Sequence, residues 1–155
     1  MKLLIQRVSR ASVTVENKIT GSIGHGYMVL CGCSMDDTEN DVNYLASRLA
    51  ALRIIGDSEG KMNLSIVQTG GSVLLVSQFT LYADTRKGNR PGFTMGGDPA
   101  KAESLFNRFT TKMRELLGDD KVQTGIFGAN MKVELVNEGP VTIELCSDSR
   151  PWLHS

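Results

Sequence analysis

Alternating apolar and polar residues, together with short continuous apolar runs, predict that much of this chain forms β-strands. One apolar run, GYMVLCGCS, has the length of a buried strand, and another, GSVLLVSQFTLYAD, is rich in β-branched and aromatic residues and predicts one long strand. The full set of predicted strands is KLLIQRV, ASVTVEN, KITGSIG, GYMVLCGCS, GSVLLVSQFTLYAD, VQTGIFG, MKVELV and VTIEL.

Two segments instead have the periodicity of amphipathic helices. The first is DDTENDVNYLASRLAALRI, for which Asp36 or Asp37 is the candidate N-cap. The second begins at Asp98 and Pro99, and Gly118 can end it. Their predicted buried residues are Val42, Leu45, Ala46, Leu49 and Leu52 in the first, and Leu105, Phe106, Phe109, Met113 and Leu116 in the second.

These elements predict an α+β fold: a largely antiparallel, curled and barrel-like β-sheet with two main helices packed on it. The length of 155 residues favours a single domain over residues 1–155. No apolar run is long enough to span a membrane, and Arg7 and Arg10 interrupt the N-terminal apolar stretch, which argues against a signal peptide. We therefore expect a cytoplasmic protein with no membrane contact.

Charge and residue counts exclude several functional classes. Lys plus Arg and Asp plus Glu both number 17, which argues against coating nucleic acid by bulk charge but leaves a local basic site open. The cysteines Cys31, Cys33 and Cys146 form neither a disulfide framework nor a zinc pattern, so buried thiols are expected. Two histidines, His25 in GHGY and His154 near the end, give thin support for a Ser-His-Asp triad. We expect no metal and no cofactor.

Polar residues interrupt the apolar strand at SQFTLY, where Ser77, Gln78 and Thr80 replace the aliphatic residues that packing alone would favour. Either the strand emerges into solvent here, or this segment forms the floor of a pocket, with backbone amides and hydroxyls directed at a ligand.

Two further segments have the composition of a nucleic-acid contact. Arg86, Lys87 and Arg90 are crowded into a glycine-containing loop near Phe93, which is either a solvated charge run or a phosphate-contacting loop. In TGIFGANMKV, Phe127 lies between Gly125 and Gly128, which indicates either a bend in a strand or a surface where a planar base could lie.

Gly139-Pro140 divides the segment VELVNEGPVTIEL, whose two halves both alternate like strands. Proline cannot donate to a β-ladder, so the pair indicates either a turn between MKVELV and VTIEL or the edge of a sheet. A rigid Gly-Pro turn would also display its carbonyls in a fixed direction.

Taken together, SQFTL and NEGPVT resemble the two signature motifs of D-aminoacyl-tRNA deacylases, the D-tyrosyl-tRNA deacylase family. ADTRKGNRPGF and GIFGANMKVEL are similar to the same family, and the resemblance runs from MKLLIQRVSRASV to the last strand. It implies an ester hydrolase that removes D-amino acids from tRNA, a proofreading step of translation, and a homodimer with active sites at its interface.

The resemblance also implies roles for individual residues. Ser77, Gln78, Phe79 and Thr80 would line the catalytic pocket, and Phe127, Gly128 and Met131 would lie near the terminal adenosine at the 3′ end of the aminoacyl-tRNA. A cis Gly139-Pro140 bond would enter the other subunit's site and select chirality, with Arg7 holding its carbonyls. Arg86, Lys87 and Arg90 remain candidates for tRNA contact.

Main-chain carbonyls can reject L side chains of every kind, so glycyl-tRNA should pass the same filter. For the hydrolysis, backbone amides around Phe79 and Thr80 would stabilise the oxyanion and the ribose 2′-hydroxyl would activate water, because no base is evident for Thr80 as a nucleophile. Two other functions stay open: a non-catalytic RNA-binding module, and a small-ester or peptide hydrolase that uses Ser77 or Cys31.

Overall fold

A computed structural model describes residues 1–149 of the chain as an α+β fold. The strands are β1 (Lys2–Val15), β2 (Lys18–Ile23), β3 (Gly26–Gly32), β4 (Ile55–Gly56), β5 (Met62–Leu64), β6 (Ser72–Ser77), β7 (Val122–Thr124) and β8 (Lys132–Cys146). The α-helices are α1 (Glu39–Ala51), α2 (Ile66–Thr69) and α3 (Pro99–Leu117), and 3₁₀ helices cover Phe79–Tyr82, Asp119–Lys121 and Ser147–Ser149.

The main sheet is mixed and centres on β1, which pairs antiparallel with β2, β3 and β8. On the far side of β3, β6 and β7 are added in parallel. The sheet curls until β2 approaches β7, so that a Cβ added at Gly21 would lie 2.6 Å from the Thr124 carbonyl oxygen. The expected α+β class with a curled, barrel-like sheet is confirmed, and the small β4–β5 sheet and α2 add to the predicted elements.

Two hydrophobic clusters account for the alternating pattern. Helices α1 and α3 pack against each other and cover one cluster, while a second cluster fills the curl of the sheet. β3 is buried along almost its whole length, as its apolar composition predicts. Representative members of the first cluster are Leu3, Ile5, Tyr27, Leu45, Leu49, Phe109 and Met113, and the second contains Val8, Ala11, Val13, Met28, Leu74 and Val76.

Helix α1 begins later than its sequence predicts. Its N-cap is Thr38, which forms a capping box with Asp41, so the assignment of Asp36 or Asp37 as the cap is wrong. Asp37 is instead buried, where its carboxylate accepts hydrogen bonds from the Met1 amino group at 2.5 Å and from the Ser34 amide at 2.6 Å. Leu52 lies just after the helix and is only partly buried.

Helix α3 agrees with its sequence signals at both ends. The Asp98 side chain accepts from the Lys101 amide at 3.3 Å, Pro99 is the first helical residue, and Gly118 ends the helix with φ of 104°. Leu105, Phe106, Phe109 and Met113 are buried, whereas Leu116 is 38% exposed, so its assignment to the buried face is wrong.

Several strand boundaries also differ from the prediction. KLLIQRV and ASVTVEN form the single strand β1, and VQTGIFG contributes only the three residues of β7. The long strand predicted from residue 71 ends at Ser77: the Gln78 amide makes the last bond to β3, to the Cys31 carbonyl at 2.8 Å, and a 3₁₀ helix follows. No helix within residues 1–149 has both the length and the apolar character that crossing a bilayer requires.

The turn predicted at Gly139-Pro140 is wrong, because β8 runs through this point and both of its halves pair with β1. The alternative, a proline at the edge of a sheet, is confirmed, because β1 is the strand with which β8 pairs within residues 1–149. Asn137 pairs with Val8, and Thr142 pairs with Gln6, so residues 138–141 lie opposite Arg7 alone. These four residues form a bulge on the strand, hereafter the Gly-Pro bulge. The Gly139-Pro140 peptide bond within it is cis.

Candidate active site

A pocket of about 560 Å³ opens where β6 ends. It brings the predicted residues Ser77, Gln78 and Phe79 together with the predicted segment around Phe127, and residues of β3 and α3 complete its wall. The lining residues are Cys31, Cys33, Val76, Ser77, Gln78, Phe79, Phe93, Gly97, Pro99, Ala102, Phe106, Phe127, Gly128, Ala129, Met131 and Val133.

Close packing between β3 and the 3₁₀ helix shapes the floor of this pocket. A Cβ added at Gly32 would lie 2.9 Å from Leu81 Cβ and 3.1 Å from the Gln78 carbonyl oxygen. Since Cβ atoms do not approach other atoms this closely, only glycine lets the two segments meet here. Gly32 therefore sets the position of the segment that carries Gln78 and Phe79.

Thr80 lies outside the pocket lining and is exposed. Its hydroxyl oxygen accepts a hydrogen bond from the Gln78 side-chain amide. The first hydrogen bond of the 3₁₀ helix is donated by the Leu81 amide to Gln78, so the helix does not use the amides of Phe79 and Thr80.

Two aromatic pairs bound the pocket. Phe79 and Phe93 meet edge to face with ring centroids 5.1 Å apart, and both rings are largely exposed. Deeper in the pocket, Phe106 packs against Phe127 with centroids 6.2 Å apart. The sequence indicates Phe93 and Phe127, but Phe106 has the pattern of an ordinary core residue of α3, as do Ala102 and the two cysteines.

Cys31 and Cys33 are buried beneath the pocket, as expected, whereas Cys146 is only partly buried, so the expectation of a buried thiol is wrong there. Burial raises the pKa of the Cys31 thiol well above its usual range, and it raises the pKa of Cys33 to about 11. Both thiols are therefore uncharged at neutral pH. Because the thiolate is the nucleophilic form, this pKa shift disfavours the reading of Cys31 as a catalytic nucleophile.

The loop that contains Arg86, Lys87 and Arg90 is closed at its base by two backbone hydrogen bonds between Asp84 and Gly92, at 2.7 and 2.9 Å. Arg86 folds back onto the Asp84 carboxylate through Nε at 2.9 Å and Nη2 at 2.8 Å. These bonds lower the pKa of Asp84 to about 2. Lys87 and Arg90 are exposed farther along the loop, outside the pocket lining.

None of residues 138–141, which form the Gly-Pro bulge, lines the pocket of the same chain. Val133 lines the pocket, and Gly139 follows six residues later on β8, which corresponds to about 20 Å along a strand. Arg7 donates from Nε to the Glu138 carbonyl at 2.9 Å and from Nη1 to the Ile54 carbonyl at 2.7 Å. The carbonyl that Arg7 holds is thus that of Glu138, next to the pair that the resemblance implied.

Only glycine fits at position 139. Its φ of 149° is one that other residues rarely adopt, and an added Cβ would lie 2.7 Å from Val141 Cγ2 and 3.3 Å from Arg7 Nη2. The bulge therefore presents only main-chain atoms at position 139.

Residues 1–149, which the structure describes, contain no group of three or more His, Cys, Asp or Glu side chains that could hold a metal ion. His25 is exposed between β2 and β3, and His154 lies outside the described residues.

Comparison with known proteins confirms the family resemblance. The family model of D-Tyr-tRNA(Tyr) deacylase matches residues 4–146. The D-aminoacyl-tRNA deacylase of Klebsiella pneumoniae (strain 342) is 54% identical over 94% of this chain and 99% of its own length. That of Symbiobacterium thermophilum is 51% identical over 96% and 97%.

Solved structures with the same fold include the c-Myc DNA Unwinding Element Binding Protein, with a TM-score of 0.91, 39% identity and coverage of 95% of this chain and 99% of that one. A probable eukaryotic D-amino acid tRNA deacylase has a TM-score of 0.81 at 20% identity, covering 93% and 97% of the two chains, and it supports the fold alone. By the family match and by these relatives, the chain belongs to the D-Tyr-tRNA(Tyr) deacylase family.

Proposed function

We propose that this protein hydrolyses the ester of D-aminoacyl-tRNA to free D-amino acid and tRNA, and that it rejects L-aminoacyl-tRNA. The observation that carries the proposal is the pocket of about 560 Å³, which is lined by residues of both the Ser77–Phe79 segment and the Phe127–Met131 segment. The match to the D-Tyr-tRNA(Tyr) deacylase family supports the same activity. Such a reaction takes place where tRNA is charged, so we propose that the protein acts in the cytoplasm.

The chemistry of the lining supports binding of the 3′ end of the aminoacyl-tRNA. Phe127 and Met131 offer an apolar, polarisable surface on which the terminal adenine can lie, and Gly128 leaves the backbone accessible beside it. Outside the pocket, Lys87 and Arg90 are exposed cations that would contact tRNA phosphates, and Arg86 lies at the base of the same loop. The ester would then lie beside Ser77, Gln78 and Phe79.

Chiral selection is assigned to the Gly-Pro bulge of a second copy of the chain. Gly139 and Pro140 are exposed and lie about 20 Å along β8 from the pocket-lining residue Val133, so the bulge would reach a pocket in a partner chain rather than its own. We therefore propose a homodimer with the active sites at its interface. Rigid main-chain groups would crowd an L side chain, admit a D side chain and pass glycine, which makes glycyl-tRNA a further substrate.

For the chemical step, the backbone amides of Phe79 and Thr80 would stabilise the oxyanion of the tetrahedral intermediate. The ribose 2′-hydroxyl beside the ester would activate the attacking water. The Thr80 hydroxyl already accepts from Gln78, and it has no evident base to activate it as a nucleophile. Thr80→Ala should therefore retain most turnover, whereas a substrate with a 2′-deoxy terminal adenosine should react slowly.

The decisive experiment compares hydrolysis of D-tyrosyl-tRNA and L-tyrosyl-tRNA by the purified protein, with glycyl-tRNA as a third substrate. Loss of the D-ester and of the glycyl ester, with the L-ester intact, is the expected result. Loss of both tyrosyl esters would indicate an esterase without chiral selection. Saturable tRNA binding with no ester loss would indicate the alternative, a non-catalytic RNA-binding module.

A further inference from the structure

Asn137 closes the Gly-Pro bulge from within. Its side-chain Oδ1 accepts from the Val141 amide at 2.7 Å, and its Nδ2 donates to the Val141 carbonyl and to the Thr142 hydroxyl, both at 3.1 Å. Asn137 is also the last residue before the bulge that pairs with β1, where its partner is Val8. The Asn137 side chain thus links the last paired residue before the bulge to Val141, the residue at the other end of the bulge.

The need for this side chain follows from the register of β8. Residues 138–141 have no partner residue in the register with β1, and the amide and the carbonyl of Val141 are both bound by the Asn137 side chain. Val141 is only 8% exposed, and a buried backbone group that has no hydrogen-bond partner destabilises the fold. The primary amide of Asn137 has an acceptor oxygen and a nitrogen with two donor hydrogens, so this one side chain can bind the amide and the carbonyl of Val141 and also the Thr142 hydroxyl.

A second contact fixes the other end of the bulge. Arg7, the β1 residue opposite the bulge, binds the Glu138 carbonyl at 2.9 Å. Asn137 and Arg7 together hold Glu138 and Val141, the two residues that flank Gly139-Pro140. The direction in which the central pair points is set by these two anchors.

We infer that Asn137 is a positioning residue for chiral selection: its side-chain amide holds Val141 and so fixes the direction in which the Gly-Pro bulge presents its main chain to the substrate. This inference rests on the proposed function, in which the bulge selects the D-amino acid. It predicts that changes at Asn137 act on the choice between D- and L-esters rather than on turnover as such.

The test measures kcat/KM for D-tyrosyl-tRNA and for L-tyrosyl-tRNA, and the D/L ratio is the readout. Asn137→Ala should lower this ratio by about tenfold or more, because both hydrogen-bonding groups of Val141 lose their partner. Asn137→Asp, which keeps the shape and the acceptor but loses the donor, should also lower it. Thr142→Val removes only one of the three bonds and should change the ratio by no more than about threefold.

Asn107→Ala, on the exposed face of α3, is the matched control and should leave the ratio unchanged. Thermal unfolding and dimerisation of each variant separate loss of selection from loss of structure. If Asn137→Ala fails to fold, the isosteric Asn137→Asp decides the question. A folded Asn137 variant that discriminates as well as the wild type overturns the inference alone. A wild type that hydrolyses neither ester, or both alike, overturns the proposed function, and the inference falls with it.

Discussion

Phe79 and Phe93 contact each other edge to face, with ring centroids 5.1 Å apart and ring planes at 65°. They come from two different segments, the 3₁₀ helix after β6 and the loop before α3, and they form one wall of the pocket. Their exposed fractions are 64% and 42%, so a large part of this aromatic surface is free to contact a substrate.

Replacing one ring of this pair should weaken substrate binding. We expect Phe93→Ala to raise KM for D-tyrosyl-tRNA by up to about tenfold with a smaller change in kcat, since an aromatic contact between this exposed ring and the substrate would contribute about 0.5–1.5 kcal/mol beyond its buried area. Met95→Ala is the matched control, because Met95 is a similarly exposed residue of the same loop that does not line the pocket. Equal effects of the two variants would contradict a specific role for the Phe79–Phe93 contact.

A methyl group at position 32 should disturb the catalytic segment. The added Cβ of Gly32→Ala would lie 2.9 Å from Leu81 Cβ, and the 3₁₀ helix must shift to accommodate it. We expect a fall in kcat of about tenfold or more, since overpacking costs about 1–3 kcal/mol and the displaced segment carries Phe79. Gly24→Ala has open space around its Cβ and serves as the control. Unchanged kcat in Gly32→Ala would show that the 3₁₀ helix does not position reacting groups.

Charge in the loop should appear in the salt dependence of binding. Each phosphate contact contributes about 0.7 to the slope of log K against log salt for single-stranded RNA, so Lys87→Ala and Arg90→Ala should each lower the slope by roughly this amount. Arg86→Ala should have a smaller effect, because the guanidinium is already held by Asp84. Lys18→Ala, on an exposed part of β2, is the control. Identical slopes for all four variants would remove this loop from the tRNA interface.

The buried thiols give a pH-dependent prediction. Cys33 has a pKa of about 11 in the folded protein against 9.0 as its ordinary value. The unfolded chain therefore ionises first, and the stabilisation from keeping this thiol neutral is complete below about pH 9 and is lost as pH rises towards 11. Urea unfolding at pH 7.5 and at pH 10 should show this loss in the wild type and a smaller loss in Cys33→Ala. The same loss in both proteins would assign it to other groups.

Asp37 should be important for stability rather than for activity. Its carboxylate is buried between the Met1 amino group and the Ser34 amide, and breaking a buried ion pair costs about 3–5 kcal/mol. We expect Asp37→Asn to lower the free energy of unfolding by this order. Asp36→Asn, at the exposed neighbouring position, should change it little. Denaturant unfolding of the two variants distinguishes them, and equal stabilities would contradict the importance of the buried pair.

How much the sequence predicts depends on how local the signal is. The signals of α3 are all neighbours in the chain: Asp98 caps it, Pro99 begins it and Gly118 ends it. For α1, three adjacent residues could act as the cap, and the choice is made by the Met1 amino group, which binds Asp37 across 36 positions of sequence. A local pattern contains no information about that contact.

The Gly-Pro bulge shows the same limit. The two alternating segments on either side of Gly139-Pro140 are compatible with a hairpin and with one bulged strand. Both arrangements bury the same apolar residues and expose the same polar residues. The pairing of both halves with β1 decides between them.

The pocket was predicted in part. Polar residues in an apolar strand marked Ser77 and Gln78, and glycines beside an aromatic marked Phe127. Cys31, Ala102 and Phe106 carried no such signal, since each has the pattern of a core residue. They reach the pocket because β3 pairs in parallel with β6 and because α3 packs beside them, and neither arrangement follows from the residues themselves.

The bulge has a consequence for solubility. Within residues 1–149, β8 pairs with β1 alone. The other edge of this 15-residue strand has no neighbouring strand to pair with its backbone N–H and C=O groups. Such an edge can recruit a strand from another molecule and start aggregation. The bulge interrupts this edge, and Pro140 has no N–H that could donate to another strand. Exposed charged side chains also lie along β8, at Lys132, Glu134, Glu138 and Glu144. The segment proposed to read the substrate therefore also has the features by which edge strands avoid uncontrolled pairing.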